Sequence, residues 1–273
     1  MSDLRVAAVQ LSSQDDLATN LARATLLIEE ASAAGARLIV LPENFALMGS
    51  AEEDKRAVAE SLDEGADGPI VRAISEAARR TGTYVVAGGM PEKSGDRERP
   101  FNTCAVFGPD GKLLGRYRKV HLFDVEVGDG QHYRESAGTT PGTEPLVLPV
   151  LGYQLGLSVC YDLRFPELYR KLVDRGAEIV VVPAAFTLAT GKDHWHVLLR
   201  ARAIESQTYV IAAAQWGTHP RGRRTYGKSL VVDPWGDVIA QHGEGEGYVA
   251  ATVSKSYLDG VRANLPSLRH RRL

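Results

Sequence analysis

The sequence predicts an α/β fold in which two β-sheets lie face to face between outer helices, a four-layer α-β-β-α sandwich built from two similar halves. An internal repeat carries this prediction. The repeated segments follow the same order in both halves, and they pair residues 35–45 with 176–186, 83–87 with 208–212, and 104–111 with 229–236. Each copy combines strands with a helix that has one apolar face to bury. If the two sheets stack and the helices lie outside them, the apolar faces of both copies are buried.

The first half opens with a buried strand over residues 4–10, followed by an amphipathic helix. Asp15 and Asp16 precede the helix and are suited to cap its N-terminus. Its apolar face is formed by Leu17, Leu21, Ala24, Ile28 and Ala31. Gly35 ends the helix, and a second strand follows over residues 37–41.

The first half continues with a helix, a strand, a hairpin and a long loop. The helix buries one face, formed by Ile70, Ile74 and Ala77. A strand is predicted over residues 83–88, and residues 101–107 and 112–119 form a hairpin around the turn at 109–111. Residues 120–143 are predicted to be a Gly-rich loop, and loops of this length in compact domains often carry function.

A thiol stands at the end of the strand that opens the second half. Residues 155–159 form an apolar run typical of a buried strand, Cys160 ends it, and Pro166 suits the first turn of a helix. We expect the amide groups of that helix to lower the pKa of the thiol. With the two sheets stacked, the ends of strands 37–41 and 155–159 are expected to bring Glu43 and Cys160 to the same rim.

Composition and charge indicate an ordinary globular chain, and the packing of the two repeats against each other predicts one domain over residues 1–273. Apolar residues make up 44% and charged residues 24%. The net charge of −2 gives no electrostatic basis for binding nucleic acid or an anionic membrane. No apolar run reaches the roughly 18 residues that a membrane span requires. Two cysteines do not make a disulfide framework, which favours a reducing cytoplasm.

Cys160 has the neighbours that thiol-based acyl transfer requires. Such chemistry needs a base that takes the thiol proton and later activates water, and a donor that stabilises the oxyanion. Glu43 follows a buried strand, so its carboxylate lies at the edge of the core. Lys119 is the last residue of the hairpin strand, and its ammonium group is a charged donor. Glu135, in the loop, is placed to orient either of them. A Cys–His dyad is the rival arrangement, and its candidate bases are His121, His194 and His196.

Each of these residues also has a structural interpretation. Cys104 lies in mid-strand and is interpreted as a small buried hydrophobe, the usual role of a single cysteine. Glu43 alone suits a helix cap or a surface charge, and Lys119 alone suits a solvated strand end. His194 and His196 look like a metal pair, but they point to different faces of a helix and no third ligand is evident. We therefore expect no metal.

Three segments together resemble the signature blocks of the nitrilase (carbon–nitrogen hydrolase) superfamily. They are residues 41–45 (LPENF), 118–124 (RKVHLFD) and 160–168 (CYDLRFPEL). The similarity extends almost from end to end. Within the superfamily it is greatest to the branch that contains deaminated-glutathione amidases and omega-amidases. Residues 212–215 (AAAQ) and 234–236 (PWG) favour the deaminated-glutathione type.

This resemblance implies a role for each residue of the site. Glu43 is the general base, Lys119 the oxyanion donor and Cys160 the nucleophile. Glu135 is a supporting carboxylate, and the backbone N–H of Tyr161 completes the oxyanion hole. The implied reaction hydrolyses a small carboxylated amide to an acid and ammonia through a Cys160 thioester, without a metal or cofactor.

The substrate-binding residues predicted at this stage are Arg164, Phe186 and Trp195. Arg164 follows the nucleophile closely and would bind a substrate carboxylate, and its alternative is a salt bridge with Glu167 or another nearby carboxylate. Trp195 also fits a helix packing face. That face would contain Trp195, Leu198, Leu199 and Arg202. His196 departs from the branch, where an acidic residue follows the Trp, and this departure bears on acyl specificity.

The motifs leave other functions open. N-carbamoyl amide hydrolases and true nitrilases use the same blocks, and an inactive interaction scaffold would keep the same fold. Transfer of the acyl group to an amine is a further alternative. The resemblance also implies a homodimer or a higher homo-oligomer, formed around the long helices, and a small-molecule amide as the binding partner.

Overall fold

The computed structural model describes residues 3–126 and 132–272, apart from the side chain of residue 52. Its strands are β1 (Leu4–Leu11), β2 (Leu38–Val40), β3 (Tyr84–Glu92), β4 (Phe101–Phe107), β5 (Leu113–Arg118), β6 (Asp124–Glu126), β7 (His132–Arg134), β8 (Val147–Val150), β9 (Tyr153–Leu157), β10 (Ile179–Val181), β11 (Tyr209–Ala212), β12 (Ala214–Thr218), β13 (Arg224–Tyr226), β14 (Leu230–Val232), β15 (Val238–Gln241) and β16 (Gly247–Val253). Its α-helices are α1 (Leu17–Ala33), α2 (Pro69–Thr81), α3 (Glu135–Gly138), α4 (Pro166–Asp174), α5 (Leu188–Ser206) and α6 (Lys255–Asn264). Short 3₁₀ helices cover Glu52–Val58, Cys160–Arg164, Pro220–Gly222 and Ser267–His270.

Two large sheets repeat one topology. Within the described residues, one sheet has eight strands in the order β13-β12-β1-β2-β3-β4-β5, with β16 also paired to β1. The other has six strands in the order β15-β14-β11-β10-β9-β8. The run β1-β2-β3-β4-β5 corresponds to β9-β10-β11-β14-β15. In each run the first three strands are parallel and the later pairings antiparallel. The predicted pair of similar halves is confirmed.

Alternating side chains of β1 show which layer lies on each side of the first sheet. Val6 and Ala8 belong to a hydrophobic cluster that also contains Leu155 of the second sheet. Ala7 and Val9 point the other way, into a cluster formed with α1 and α2. On the far side, α4 packs on β9 and α5 packs on β11. These contacts give the four layers of the predicted sandwich.

The amphipathic helix α1 begins as the sequence predicts. The Asp16 side chain accepts hydrogen bonds from the amides of Ala18 and Thr19, which caps the helix. The predicted apolar face is buried toward the first sheet, with Leu17 only partly covered. None of the helices described is long and apolar enough to cross a membrane.

The segments that follow β2 and β10 meet at one rim. Gly88 lies between them so closely that a Cβ atom there would sit 2.4 Å from the Leu41 carbonyl oxygen and 2.1 Å from the Pro183 side chain. Cys160 reaches the same place because its amide donates to the Pro183 carbonyl oxygen at 2.8 Å. The predicted meeting of Glu43 and Cys160 at one rim is therefore confirmed.

Two local expectations need correction. The strand before the thiol ends at Leu157, and Cys160–Arg164 forms a 3₁₀ turn before α4 begins at Pro166. The segment predicted as a long loop, residues 120–143, contains β6, β7 and α3, while its residues 127–131 lie outside the described part of the chain. These elements are too short to produce a periodic pattern, and they depend on contacts such as the Phe123 amide with the Glu135 carboxylate.

Candidate active site

A buried lysine joins two buried carboxylates at the rim. Lys119 Nζ lies 2.9 Å from Glu43 Oε1 and 2.8 Å from Glu135 Oε2. All three residues are at most 5% exposed. Buried charges are costly unless they are paired, so this arrangement fixes the ammonium between its two partners.

The strands and turns around the cluster determine its geometry. Glu43 follows β2 by three residues, and its Oε2 accepts the amide of Ala185 at 3.1 Å. Lys119 follows β5 directly, and its amide donates to the Asn102 carbonyl oxygen of β4. Glu135 is the first residue of α3, and its Oε2 accepts the amide of Phe123 at 2.8 Å. Three chain segments that are distant in sequence therefore converge on one point.

Asn102 is a member of the cluster that sequence reasoning missed. Its Nδ2 donates to Glu43 Oε1 at 2.9 Å and to Glu135 Oε1 at 3.0 Å. It is 3% exposed and lies in β4. Asparagine is depleted in strands, so an Asn within a strand that is otherwise largely apolar was the available sequence signal.

The backbone of Cys160 has a strained conformation. Its φ angle is +48°, in the left-handed region that residues with a Cβ atom seldom adopt. Asn44, beside Glu43, also has a positive φ angle, +59°. Such residues cluster at functional sites, because the surrounding structure holds them against the strain.

The pKa of Cys160 moves in the direction opposite to the expectation. Burial and the negative charge of Glu43 raise this pKa well above its usual value, and the charge of Lys119 only partly opposes them. The predicted lowering by helix amides is wrong, because α4 starts six residues beyond the thiol and the sulfur is buried beside a carboxylate. The resting nucleophile is a neutral thiol that needs a base.

Glu135 and Lys119 remain charged inside the protein. Burial by itself would raise the pKa of Glu135, but the charges of Lys119 and Lys55 and the bond from Asn102 bring it down to about 2. Burial likewise opposes the charge of Lys119, yet the two carboxylates hold its pKa well above the usual range. Lys119 and Glu135 are thus a charged pair, and the ammonium group of Lys119 acts on the thiol of Cys160.

The Tyr161 amide belongs to the first turn of the 3₁₀ helix that starts at Cys160. The first N–H groups of a helix have no acceptor within the helix. Lys119 Nζ and this amide therefore present two donors near the sulfur.

A pocket opens onto the cluster, and it brings together most of the predicted residues. Its walls, as far as the structure describes them, are Glu43, Asn44, Lys55, Lys119, Phe123, Tyr133, Glu135, Cys160, Tyr161, Arg164, Ala185, Phe186, Thr187, Thr190 and Arg223. Sequence reasoning missed Lys55, Tyr133 and Arg223, which lie outside the three motifs. It also did not single out Phe123, although this residue belongs to the block 118–124.

Trp195 lies behind the pocket wall. Its ring is fully buried, packs 4.9 Å from the ring of Phe186, and donates from Nε1 to the Lys228 carbonyl oxygen. Phe186 itself lines the pocket. Trp195 does not line the described pocket. It packs in the core as part of the face of α5 that the alternative interpretation predicted.

Arg164 faces the pocket between aromatic rings. Its guanidinium carbon lies 5.2 Å from the Phe186 ring, and its NH1 group contacts His194 Nδ1 at 3.2 Å. Within the described part of the chain no carboxylate pairs with it, so the alternative salt bridge with Glu167 is not formed.

The three candidate histidine bases are placed elsewhere. His121 Nδ1 contacts Asp162 Oδ1 at 2.7 Å, and its ring stacks on Phe165. His196 contacts Gln241 while His194 contacts Arg164, so the two point apart. None of the three lines the described pocket. In the residues that the structure covers, no group of three or more His, Cys, Asp or Glu side chains is arranged to hold a metal ion.

Comparison with known families assigns this arrangement to a class of enzymes. The sequence profile of the carbon-nitrogen hydrolase family matches residues 5–263. The chain belongs to this family. It is therefore a hydrolase that acts on carbon–nitrogen bonds, and the resemblance to the nitrilase superfamily is confirmed.

Two curated relatives of this carbon-nitrogen hydrolase cover nearly its whole length. A deaminated glutathione amidase from Synechocystis sp. is 44% identical over 99% of this chain and 99% of its own. An omega-amidase NIT2 from Danio rerio is 37% identical over 100% of this chain and 96% of its own.

Solved structures share the fold. Nit3 from Saccharomyces cerevisiae, a nitrilase-superfamily member, matches with a TM-score of 0.89 and 33% identity over 99% of this chain and 97% of its own. An amidase from Nesterenkonia sp. AN1, solved with acrylamide added to its active-site cysteine, matches with a TM-score of 0.79 and 30% identity over 96% and 98% of the two chains. The amidohydrolase function predicted from the sequence agrees with these relatives.

Proposed function

We propose that this chain is a thiol amidase whose nucleophile is Cys160 and whose preferred substrate is deaminated glutathione. The observation that supports it most is the position of the Cys160 thiol in the same pocket as the hydrogen-bonded cluster of Glu43, Lys119 and Glu135. The name of the Synechocystis relative, a deaminated glutathione amidase, supports the substrate.

In the first half-reaction, Glu43 takes the Cys160 proton as the sulfur attacks the amide carbonyl carbon. The raised pKa of the thiol makes this transfer necessary, and the adjacent carboxylate makes it possible. Lys119 and the Tyr161 amide stabilise the oxyanion that forms. Glu43 then gives its proton to the nitrogen, the carbon–nitrogen bond breaks, and a thioester remains.

In the second half-reaction, Glu43 takes a proton from water, and the resulting hydroxide attacks the thioester. The carbon–sulfur bond breaks, the acid leaves, and Glu43 returns the proton to Cys160. Glu135 remains ionised throughout because its pKa is about 2, so it holds Lys119 in place and exchanges no proton. All of these steps use groups that the chain itself provides.

The acyl part of the substrate carries a carboxylate, and Arg164 is its proposed partner. Arg164 lines the pocket in the same 3₁₀ turn as Cys160 and pairs with no described carboxylate. Phe186 would pack against the carbon chain. We assign Trp195 a supporting place behind Phe186, since its ring contacts that residue. On an unsubstituted amide the leaving group is ammonia, and on deaminated glutathione it is an amine.

A comparison of three substrates tests the proposal. Wild-type protein and Cys160→Ala receive deaminated glutathione, α-ketoglutaramate and an N-carbamoyl amino acid, with the released keto acid or ammonia measured. We expect the wild type to prefer deaminated glutathione and Cys160→Ala to be inactive. Full activity in Cys160→Ala would refute the nucleophile, and inactivity of the wild type on all three would refute the amidase assignment.

Omega-amidase activity is the second candidate. The relative with that name is 37% identical over the whole chain, and α-ketoglutaramate carries the same keto-acid acyl group. A higher kcat/KM for α-ketoglutaramate in the same experiment would favour it. A preference for the carbamoyl compound would favour a different branch of the family.

We also propose that two copies of the chain pair through α5. Val197 and Ile204 are 66% and 47% exposed, and they lie seven residues apart on one face of the helix. The side chain of Ile204 packs against Gly236 in the β14–β15 hairpin, next to Trp235, which is 56% exposed. An apolar surface of this kind marks an interaction site. A second copy is the occupant we propose, because symmetric pairs are the commonest assemblies.

A cytoplasmic location is part of the proposal. Cys104 and Cys160 are both free and buried, as a reducing compartment allows. Fractionation that finds the protein outside the cytosol would contradict this location.

A further inference from the structure

A row of three aromatic rings lines the pocket, with an arginine at each end. The ring centroids of Tyr133 and Phe123 are 5.1 Å apart, and those of Phe123 and Tyr161 are 5.0 Å apart. The Arg223 guanidinium carbon lies 5.4 Å from the Tyr133 ring, and that of Arg164 lies 5.9 Å from the Tyr161 ring. All five side chains face the pocket. We call the three rings the aromatic wall.

The charges around the pocket are unequal. Among its described lining residues, four are cationic and two are carboxylates: Lys55, Lys119, Arg164 and Arg223 against Glu43 and Glu135. Lys119 binds both carboxylates, and the charge of Lys55 acts on Glu135. Two of the cations, Arg164 and Arg223, lie at the two ends of the aromatic wall. A guanidinium group is suited to pair with a carboxylate, so each end of the wall offers a group of the type that binds an anion.

The turn that carries Arg223 is held rigidly by a buried histidine. His219 Nδ1 lies 2.8 Å from the Ser13 carbonyl oxygen, and its Nε2 lies 2.6 Å from Thr225 Oγ1. Burial lowers the pKa of His219 to about 4, so the ring is neutral at physiological pH. Nδ1 then donates to Ser13, and Nε2 accepts from Thr225. The His219 amide in turn donates to the Arg223 carbonyl oxygen at 2.8 Å, which fixes the backbone of the arginine.

We propose that Arg223 binds a carboxylate on the leaving-group side of the scissile amide, so that the pocket selects amides with an anion at each end. This inference rests on the proposed amidase function and specifies the substrate class of the same pocket. Arg164 lies in the turn that contains Cys160 and is assigned to the acyl side. Arg223 is at the opposite end of the aromatic wall and is assigned to the departing amine.

The size of the wall suits a short peptide-like substrate. An extended chain of three residues covers roughly 10 Å, which equals about two ring-to-ring steps of the wall. A carboxylate at the far end of such a leaving group reaches the neighbourhood of Tyr133 and Arg223. An unsubstituted amide ends at its nitrogen atom and cannot use Arg223. The arginine therefore discriminates between leaving groups and takes no part in the bond-breaking steps.

Matched substrates and matched variants test this assignment. The substrates are deaminated glutathione, the same compound with its terminal carboxylate converted to a carboxamide, and α-ketoglutaramate. All three release the same keto acid, which serves as the readout. The variants are Arg223→Gln and Arg224→Gln. Arg224 is the adjacent arginine, which is exposed and does not line the pocket, so it controls for the loss of one positive charge.

We expect Arg223→Gln to lower kcat/KM for deaminated glutathione roughly tenfold to a hundredfold, the usual effect of losing a hydrogen bond to a charged group. The loss should lie mainly in KM and be far smaller for the carboxamide compound and for α-ketoglutaramate. Arg224→Gln should behave as the wild type with all three. Equal losses on the three substrates, or no loss on any, would overturn the proposal and leave Arg223 as a support for Tyr133.

A binding measurement separates failure of this proposal from failure of the proposed function. Calorimetry with Cys160→Ala measures the affinity for deaminated glutathione and its carboxamide without turnover. We expect the carboxylate to bind more tightly and the difference to vanish in Cys160→Ala/Arg223→Gln. If wild-type protein hydrolyses α-ketoglutaramate but Cys160→Ala binds both peptide compounds equally, the amidase stands and this inference falls. If turnover is absent but the affinity difference depends on Arg223, the inference stands and the amidase assignment falls.

Discussion

Asn102 holds apart two carboxylates that would otherwise repel each other. Its one amide group donates to Glu43 Oε1 and Glu135 Oε1, the same two oxygen atoms that Lys119 Nζ approaches. Like charges placed close together raise the pKa of one of them unless a donor or a cation intervenes. We infer that Asn102 is a positioning residue, which acts on substrate only through Glu43.

Asn102→Ala should therefore lower kcat by about a hundredfold with little change in KM, because small displacements of a catalytic group cost that much. Steady-state kinetics with α-ketoglutaramate measures the effect. Thr103→Val is the matched control, since it also removes a buried hydrogen bond from β4, one to Glu92, but outside the pocket. It should lose stability and retain kcat. Equal kinetic losses in the two variants would show that Asn102 only supports the fold.

Glu43 depends on a bulge in a neighbouring strand. The register between β3 and β4 shifts between Ala87 and Met90, and Gly89 within this bulge has a φ angle of +58°. A Cβ atom on Gly89 would lie 2.8 Å from Glu43 Cα and 2.6 Å from its Cγ. Because Gly89 has no side chain, the strand can adopt this φ angle and Glu43 can pack directly against the bulge.

Gly89→Ala should reduce kcat at least tenfold and destabilise the protein by roughly 1–2 kcal/mol. Gly82→Ala makes a matched control, because Gly82 has a similar φ angle of +64° but no atom within 4 Å of the added carbon. It should show the loss of stability alone, seen as a lower midpoint of urea unfolding. If Gly82→Ala loses as much activity as Gly89→Ala, strain and not contact with Glu43 is the cause.

The two halves resemble each other in strand order but not in chemistry. The segment after β2 supplies Glu43, whereas the equivalent segment after β10 supplies the Ala185 amide that binds it. The repeat made the layers predictable, because alternation and helical spacing are local properties of the chain. It did not predict which copy would carry each functional group.

Assembly is decided at the scale of the whole molecule. Val197 and Ile204 on α5 and Trp235 in the β14–β15 hairpin are exposed apolar residues that do not line the pocket. We expect light scattering to find a dimer in the wild type and a monomer in Val197→Glu. Leu114→Glu is the control, because Leu114 is 46% exposed on β5 in the other sheet, and it should remain dimeric. A monomeric wild type, or a dimeric Val197→Glu, would contradict the proposed interface.

The sequence by itself determined the two-sheet architecture, the meeting of Glu43 and Cys160 at one rim, and the family. These follow from local periodicity, an internal repeat and three contiguous motifs. Only the tertiary structure brought Asn102 and Arg223 to the pocket, because side chains from distant segments meet only through packing. Only the structure decided the direction of the Cys160 pKa, since desolvation and the nearby Glu43 charge outweigh the effect expected from helix amides. The pKa of a buried group depends on which charged groups lie near it in the folded protein, and a local sequence pattern does not predict those neighbours.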